Sequence, residues 1–139
     1  TAYATILADV RAMQPVAEEQ GLFTHNGIAM VIEAYVVATL VDYLGDIPYS
    51  EAVQGADFPN PNVDSGADIY AALQTLLDDA IVEFNRDEIA LPGAEDVYYG
   101  GDESKWIQLA NTLKLKLHLN TGNAAGINAA LSAVEAYLA

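Results

Sequence analysis

Lys105-Trp106-Ile107-Gln108-Leu109-Ala110-Asn111-Thr112-Leu113-Lys114-Leu115-Lys116-Leu117-His118-Leu119 is the segment on which the fold class turns. From Leu113 onward a leucine alternates with a polar residue, the pattern of a half-buried strand. Over a longer window, however, Trp106, Ala110, Leu113 and Leu117 recur at helical spacing behind Asp102 or Ser104, either of which can act as an N-cap. Leu, Lys, Gln and Ala favour helix, and β-branched residues are scarce here. The segment is therefore predicted to be helical. Lys114 and Lys116 then lie on different sides of it, with their apolar stems along neighbouring surface.

The flanking segments point the same way. Thr121-Gly122-Asn123 breaks that helix, and a last one follows with Ile127, Leu131, Val134 and Leu138 on its buried side. Upstream, Asp87 to Asp102 is a break containing Pro92-Gly93 and Tyr98-Tyr99-Gly100-Gly101. Before it, Ser65 and Asp68 make a start resembling a capping box. Ile69, Leu73, Leu76, Leu77, Ala80, Ile81 and Phe84 follow at helical spacing, with Gln74, Asp78, Asp79 and Glu83 facing away. Gly27 to Tyr43 is apolar nearly all round, which describes a central helix packed on several sides. Gly45 and Pro48 stop it, and a long loop rich in Pro, Asn, Asp and Gly runs to Gly66, a type that is usually functional or structured by its own packing. At the start, Ile6, Val10, Met13 and Ala17 share a helical stripe; Pro15 should end or kink that helix, or open a second short one. Gly21 and Thr24-His25-Asn26-Gly27 read as a break. Helices separated by loops, with no convincing strand pair, make the chain all-α. No fixed repeat period is present, so periodicity does not establish a solenoid.

The 139 residues are one domain's worth of chain, and 53% hydrophobic against 18% charged residues is the composition of a packed core. Lys+Arg 5 against Asp+Glu 20 gives a net charge of -15. That field repels phosphate backbones and anionic lipid, so neither nucleic acid nor an electrostatic membrane contact is an expected partner. A neutral ligand such as a sugar is compatible with it. With no cysteine, disulfide frameworks, thiolate zinc sites and cysteine nucleophiles are excluded. The most apolar stretch, Gly27 to Leu44, carries Glu33 and Asp42, both costly at bilayer depth, and so reads as a buried helix.

Three segments in order carry more specific information. They are Leu40-Val41-Asp42-Tyr43-Leu44-Gly45-Asp46-Ile47-Pro48-Tyr49-Ser50-Glu51-Ala52, then Asp64-Ser65 leading into Asp68-Ile69-Tyr70, and finally Tyr98-Tyr99-Gly100-Gly101-Asp102 followed by Lys105 to Leu117. Together they resemble the SusD/RagB family of outer-membrane glycan-capture lipoproteins of Bacteroidetes-type bacteria, over about residues 28–119. The resemblance implies a tetratricopeptide-like scaffold of antiparallel helix pairs with long loops that build a sugar site. It also implies a surface-exposed position at the outer membrane, an oligosaccharide ligand and a SusC-like TonB-dependent transporter as partner. Membrane attachment would be only through a lipidated N-terminal Cys, which these residues do not contain. The sequence is also much shorter than the family, so residues 1–139 are expected to be a single helical domain forming the scaffold part of a longer SusD-like protein. The rival reading is a generic helical protein–protein interaction module.

Within that frame the motif residues have structural explanations. Gly45 can end the central helix at positive φ, Pro48 prevents re-entry, and Asp42 or Asp46 can satisfy loose backbone N–H groups. Trp106 is a large apolar anchor. The expected function is binding without catalysis, and no cofactor or metal site is implied. Glycosidases need two carboxylates across a cleft, whereas the pairs here (Glu18-Glu19, Asp78-Asp79, Asp87-Glu88) are sequence neighbours on polar faces or loops. His25 and His118 lack partner spacing for catalysis or metal binding. The Asp57 to Asp68 loop does not match an EF-hand. Tyr98 and Tyr99 are the candidate ligand-binding residues, as rings that can stack on a sugar, unless one of them plugs the core instead. Besides these, only Tyr49 sits in a loop where a sugar could stack.

Overall fold

The computed structural model describes residues 2–87 and 90–136. A π-helical segment, Ala2–Leu7, leads into α1 (Ala8–Gln20), followed by α2 (Phe23–Leu44), α3 (Gly66–Glu83), α4 (Glu103–Thr121) and α5 (Ala124–Glu135). Each helix packs on the next in sequence, and α2 also touches α4. Among the described residues the only β-type pairing is an isolated bridge between Ile47 and Asp64. The predicted all-α, tetratricopeptide-like scaffold is therefore observed, and 105–119 lie within α4.

The helix ends follow from local chemistry. Gly21 and Gly122 close α1 and α4 at φ 70 and 66, where a side chain would be strained. Ser65 caps α3 by accepting from the Asp68 N–H at 3.1 Å, Asp102 caps α4 by accepting from Lys105, and Asn123 caps α5 by accepting from Gly126 at 3.1 Å. Trp106, Ala110, Leu113 and Leu117 form the buried stripe of α4. They join Leu73, Leu77, Ala80 of α3 and Ala29, Val31, Val37 of α2 in one core. Lys114 and Lys116 leave α4 on different sides, Lys114 to Asp78 of α3 and Lys116 to Asp42 of α2 at 2.6 Å.

Several expectations are corrected. The second helix begins at Phe23, so Thr24-His25-Asn26-Gly27 is helix rather than break. Two of these polar residues are held inside: Thr24 donates to Glu103 at 2.6 Å and Asn26 to Glu83 at 3.0 Å. At Gly27 the Phe84 ring stands 2.7 Å from where a Cβ would sit. Pro15 lies inside α1 without ending it. In the first segment Leu7, Val10 and Ala17 are buried while Ile6 and Met13 are exposed. The π-helical start, with its wider turn, shifts the phase by about one residue. Glu83 does not face away; it is buried against Arg86 and Asn26. Among the described residues of α5 Ala130 is buried and Leu131 exposed, and the described contacts of that helix are with α4. Leu138 and Glu88 lie outside the described residues.

Candidate functional site

The loop between α2 and α3 folds around the Asp64 carboxylate. Its Oδ2 accepts from the Tyr49 and Ser50 N–H groups, both at 2.8 Å, and its Oδ1 from the Ser50 hydroxyl at 2.8 Å. The hydrogen bond from the Ser50 backbone is the main reason the Asp64 carboxyl sits below its ordinary value. The Ile47–Asp64 backbone pair closes the ring (3.2 and 3.0 Å). Gly45 has φ 77 as expected, and Asp46 accepts from the N–H of Gly66 at 2.8 Å, at the start of α3. Asp42 serves side chains instead of backbone, accepting from Tyr70, Lys116 and Asn120.

Beneath this loop lies a polar network for which the sequence offered no pattern. Glu33, from the inner side of α2, is buried and accepts from Arg11 Nε at 2.9 Å, Gln14 at 2.7 Å and the Tyr49 hydroxyl at 3.1 Å. Arg11 also donates to the carbonyls of Tyr49 and Ala52 at 3.1 and 2.8 Å. Burial, then the neighbouring Glu33 charge, push the Tyr49 hydroxyl well above its ordinary value, so it remains a donor. Arg11 also covers the Tyr49 ring, 4.8 Å from its centre. Tyr49 is thus removed from the sugar-stacking candidates. An open groove of about 530 Å³ runs past Arg11, Gln14, Glu33, Ser50 and Gln54. Its central acid is already satisfied by three donors.

The loop before α4 hangs on a second carboxylate. Asp96 accepts from the N–H groups of Tyr98 and Tyr99, both at 3.1 Å, from Gly101 at 2.8 Å, and from Trp106 Nε1 at 2.7 Å. Burial alone would raise its carboxyl; these hydrogen bonds, led by Trp106, outweigh burial and hold it below the ordinary range. Gly101 is required at φ 81, because a Cβ there would stand 2.1 Å from the Pro92 carbonyl oxygen. Trp106 is 2% exposed. Tyr99 meets its ring edge-on at 5.1 Å and is partly buried on the core. Tyr98 meets it at 6.1 Å but stays 73% exposed. The two candidates are therefore brought to one indole, Tyr99 as a plug and Tyr98 with a ring open to solvent.

The remaining acids and bases are dispersed. Glu18 pairs with Arg86 at 2.8 Å, Asp78 with Lys114, and Asp79 and Asp87 are exposed. His25 is 3.8 Å from Glu95, and His118 lies against Gly126 and Asn123. Among the described residues no three His, Asp or Glu side chains gather in a way that could hold a metal ion. The arrangement positions two loops on a helical frame.

Fold and loops define an all-α scaffold of consecutive helix pairs carrying two carboxylate-centred loops. The sequence profile of the SusD-like family, described as starch-binding and associating with the outer membrane, matches residues 1–139, and the chain belongs to that family. It superposes on a SusD/RagB family protein from Bacteroides thetaiotaomicron at TM-score 0.81 and 27% identity, covering 98% of this chain and 29% of that one. A chitin-binding protein matches at TM-score 0.79 and 28% identity, over 99% of this chain and 29% of its own. A SusD homologue from Bacteroides uniformis matches at 0.76 and 27%, over 97% and 28%. The chain thus spans under a third of the length of these relatives. No curated protein matches it.

Proposed function

We propose that this chain is the helical scaffold of a nutrient-binding protein that captures glycans at the outer membrane and passes them to a TonB-dependent transporter. The observation that carries the reading is the family match along all 139 residues. The motif geometry supports a scaffold role in particular. Asp64, Asp96, Arg11 and Trp106 spend their hydrogen-bonding capacity inside the chain, whereas a sugar site needs several aromatic and polar groups left free and held together. Among the described residues Tyr98 offers an open ring next to a rigid anchor, the Trp106 indole. The ligand is a neutral oligosaccharide, consistent with the net charge of -15 and with the chitin-binding description of one relative. The protein binds and does not cleave.

The test is made on the complete gene product in its own membrane. Affinity purification should bring down a TonB-dependent transporter, and protease applied to intact cells should remove the protein. A protein recovered only from the soluble fraction, with no such transporter, would overturn both partner and location.

A further inference from the structure

We infer that a groove at the end of the helix bundle remote from the Asp64 loop binds a primary ammonium group carried on an apolar stem. The groove, of about 340 Å³, is walled by the last turn of α1, the start of α2 and the end of α3. Asn26 and Met30 enter it from α2, and Asp79 and Glu83 from α3, each pair four residues apart on one helix face. Glu18 of α1 and Arg86, just beyond α3, complete the wall.

One polar atom here lacks a partner. Asn26 is only 4% exposed, and its amide nitrogen donates to Glu83 Oε2 at 3.0 Å. A carboxylate only accepts, so this bond fixes which end of the amide meets Glu83 and turns Oδ1 away from it. Among the described residues nothing donates to that buried oxygen. A buried acceptor left without a donor destabilises a fold, so its place on a groove wall points to a donor that arrives from outside.

Charge decides what kind of donor. Three carboxylates, Glu18, Asp79 and Glu83, against one guanidinium leave two negative charges on the groove. Arg86 is already engaged with Glu18 at 2.8 Å and Glu83 at 2.7 Å, and lies 3.3 Å from the centre of the Phe23 ring. Asp79 is exposed and bonded to no described residue. A water or a hydroxyl would satisfy Asn26 and leave the Asp79 charge unmatched, whereas a cation with N–H donors serves both.

A metal ion does not fit, because among the described residues no three His, Asp or Glu side chains gather as ligands. A primary ammonium does. It is a compact charge with diverging N–H donors, suited to acceptors on two different helices, where a planar guanidinium suits one carboxylate. Met30 and Val82, the latter 60% exposed, offer apolar surface to the alkyl stem. The ammonium can belong to a lysine of a partner polypeptide or to a free alkylamine. It differs from the neutral oligosaccharide proposed above, so the two readings stand or fall separately.

The test is ligand-observed NMR on the complete gene product with n-butylamine, tetramethylammonium and 1-butanol. Butylamine should bind saturably and butanol not at all. Tetramethylammonium, which has the charge but no N–H, should bind at least about tenfold more weakly, since a charge-assisted hydrogen bond is worth about that factor or more. Asp79→Asn should weaken butylamine by about tenfold. Asp57→Asn, at an exposed acid of the α2–α3 loop, should leave it unchanged. Asp79→Lys, which brings its own ammonium to the groove, should abolish it. The comparison of the three ligands needs no variant and stands if one fails to fold. No butylamine binding would overturn the inference. So would equal binding of tetramethylammonium, or equal loss in both Asn variants, either of which reduces it to general attraction toward a chain of net charge -15. Nα-acetyl-lysine methylamide binding more tightly than butylamine assigns the ammonium to a polypeptide partner, and weaker binding assigns it to a free amine; both results uphold the site.

Discussion

Two loops of this molecule solve the same problem and leave different surfaces behind. Each is organised by one aspartate that accepts several hydrogen bonds, Asp64 between α2 and α3 and Asp96 before α4. In the first loop the motif tyrosine is fully committed: the Tyr49 ring lies under Arg11 and its hydroxyl donates to a buried acid, although Phe58 of the same loop is exposed. In the second the anchor is an indole, and of the two tyrosines against it one is left open. The contrast shows that a loop aromatic in a family motif can be a structural strut. Free ring area, not motif membership, marks a candidate contact.

The largest effect should come from the second anchor. Trp106→Ala removes a fully buried aromatic and the Asp96 partner together, and should cost about 3–5 kcal/mol in chemical denaturation. An unmoved midpoint would place Trp106 at the surface. In the first loop Arg11→Met should cost about 3 kcal/mol, near the lower end for breaking a buried pair because Arg11 is 23% exposed. It strands Glu33, and amide exchange should rise at residues 49–52 while 96–101 stay protected. Equal loosening of both loops would contradict their independence.

Acid should act on both loops at once. The folded carboxyls of Asp64 and Asp96 titrate below their ordinary value of 3.8. Their contribution is therefore complete above that value and is lost as the pH falls through the lower folded values. Stability measured from pH 6 downward should hold until roughly pH 4 and then fall. The Asp64→Asn, Asp96→Asn double variant should flatten that fall, and an unchanged slope would assign it to other acids. The smallest effect is expected at Tyr98→Ala, within about 0.5 kcal/mol, since the ring is mostly in water. A loss above 2 kcal/mol would make Tyr98 a strut like Tyr49.

Much of this was legible from residue spacing. The Gly45 stop and the Ser65 cap are local, with partners within a turn of helix, and the α4 stripe shows in its own spacing whatever it packs against. The Arg11–Glu33–Tyr49 network is not, because its members are 22 and 16 residues apart and an acid in an apolar helix carries no label naming its partner. The same holds for Asp96, ten residues ahead of the indole that it holds, in a stretch of sequence that shows only a break. The start of α2 was missed because Thr24, Asn26 and Gly27 look like a turn until Glu103, Glu83 and Phe84 are placed beside them. Of the site, the sequence marked Tyr98 and Tyr99 but could not say which ring would remain free.

The central claim is that these residues build the frame and that a usable glycan site requires more of the protein. Calorimetric titration of neutral oligosaccharides, including chitin and starch fragments, into the 139-residue chain and into the complete gene product tests it most directly. The account predicts saturable heat for the complete product and none for the chain. Comparable affinity in both, abolished by Tyr98→Ala, would contradict it and place the site on the loop held by Asp96.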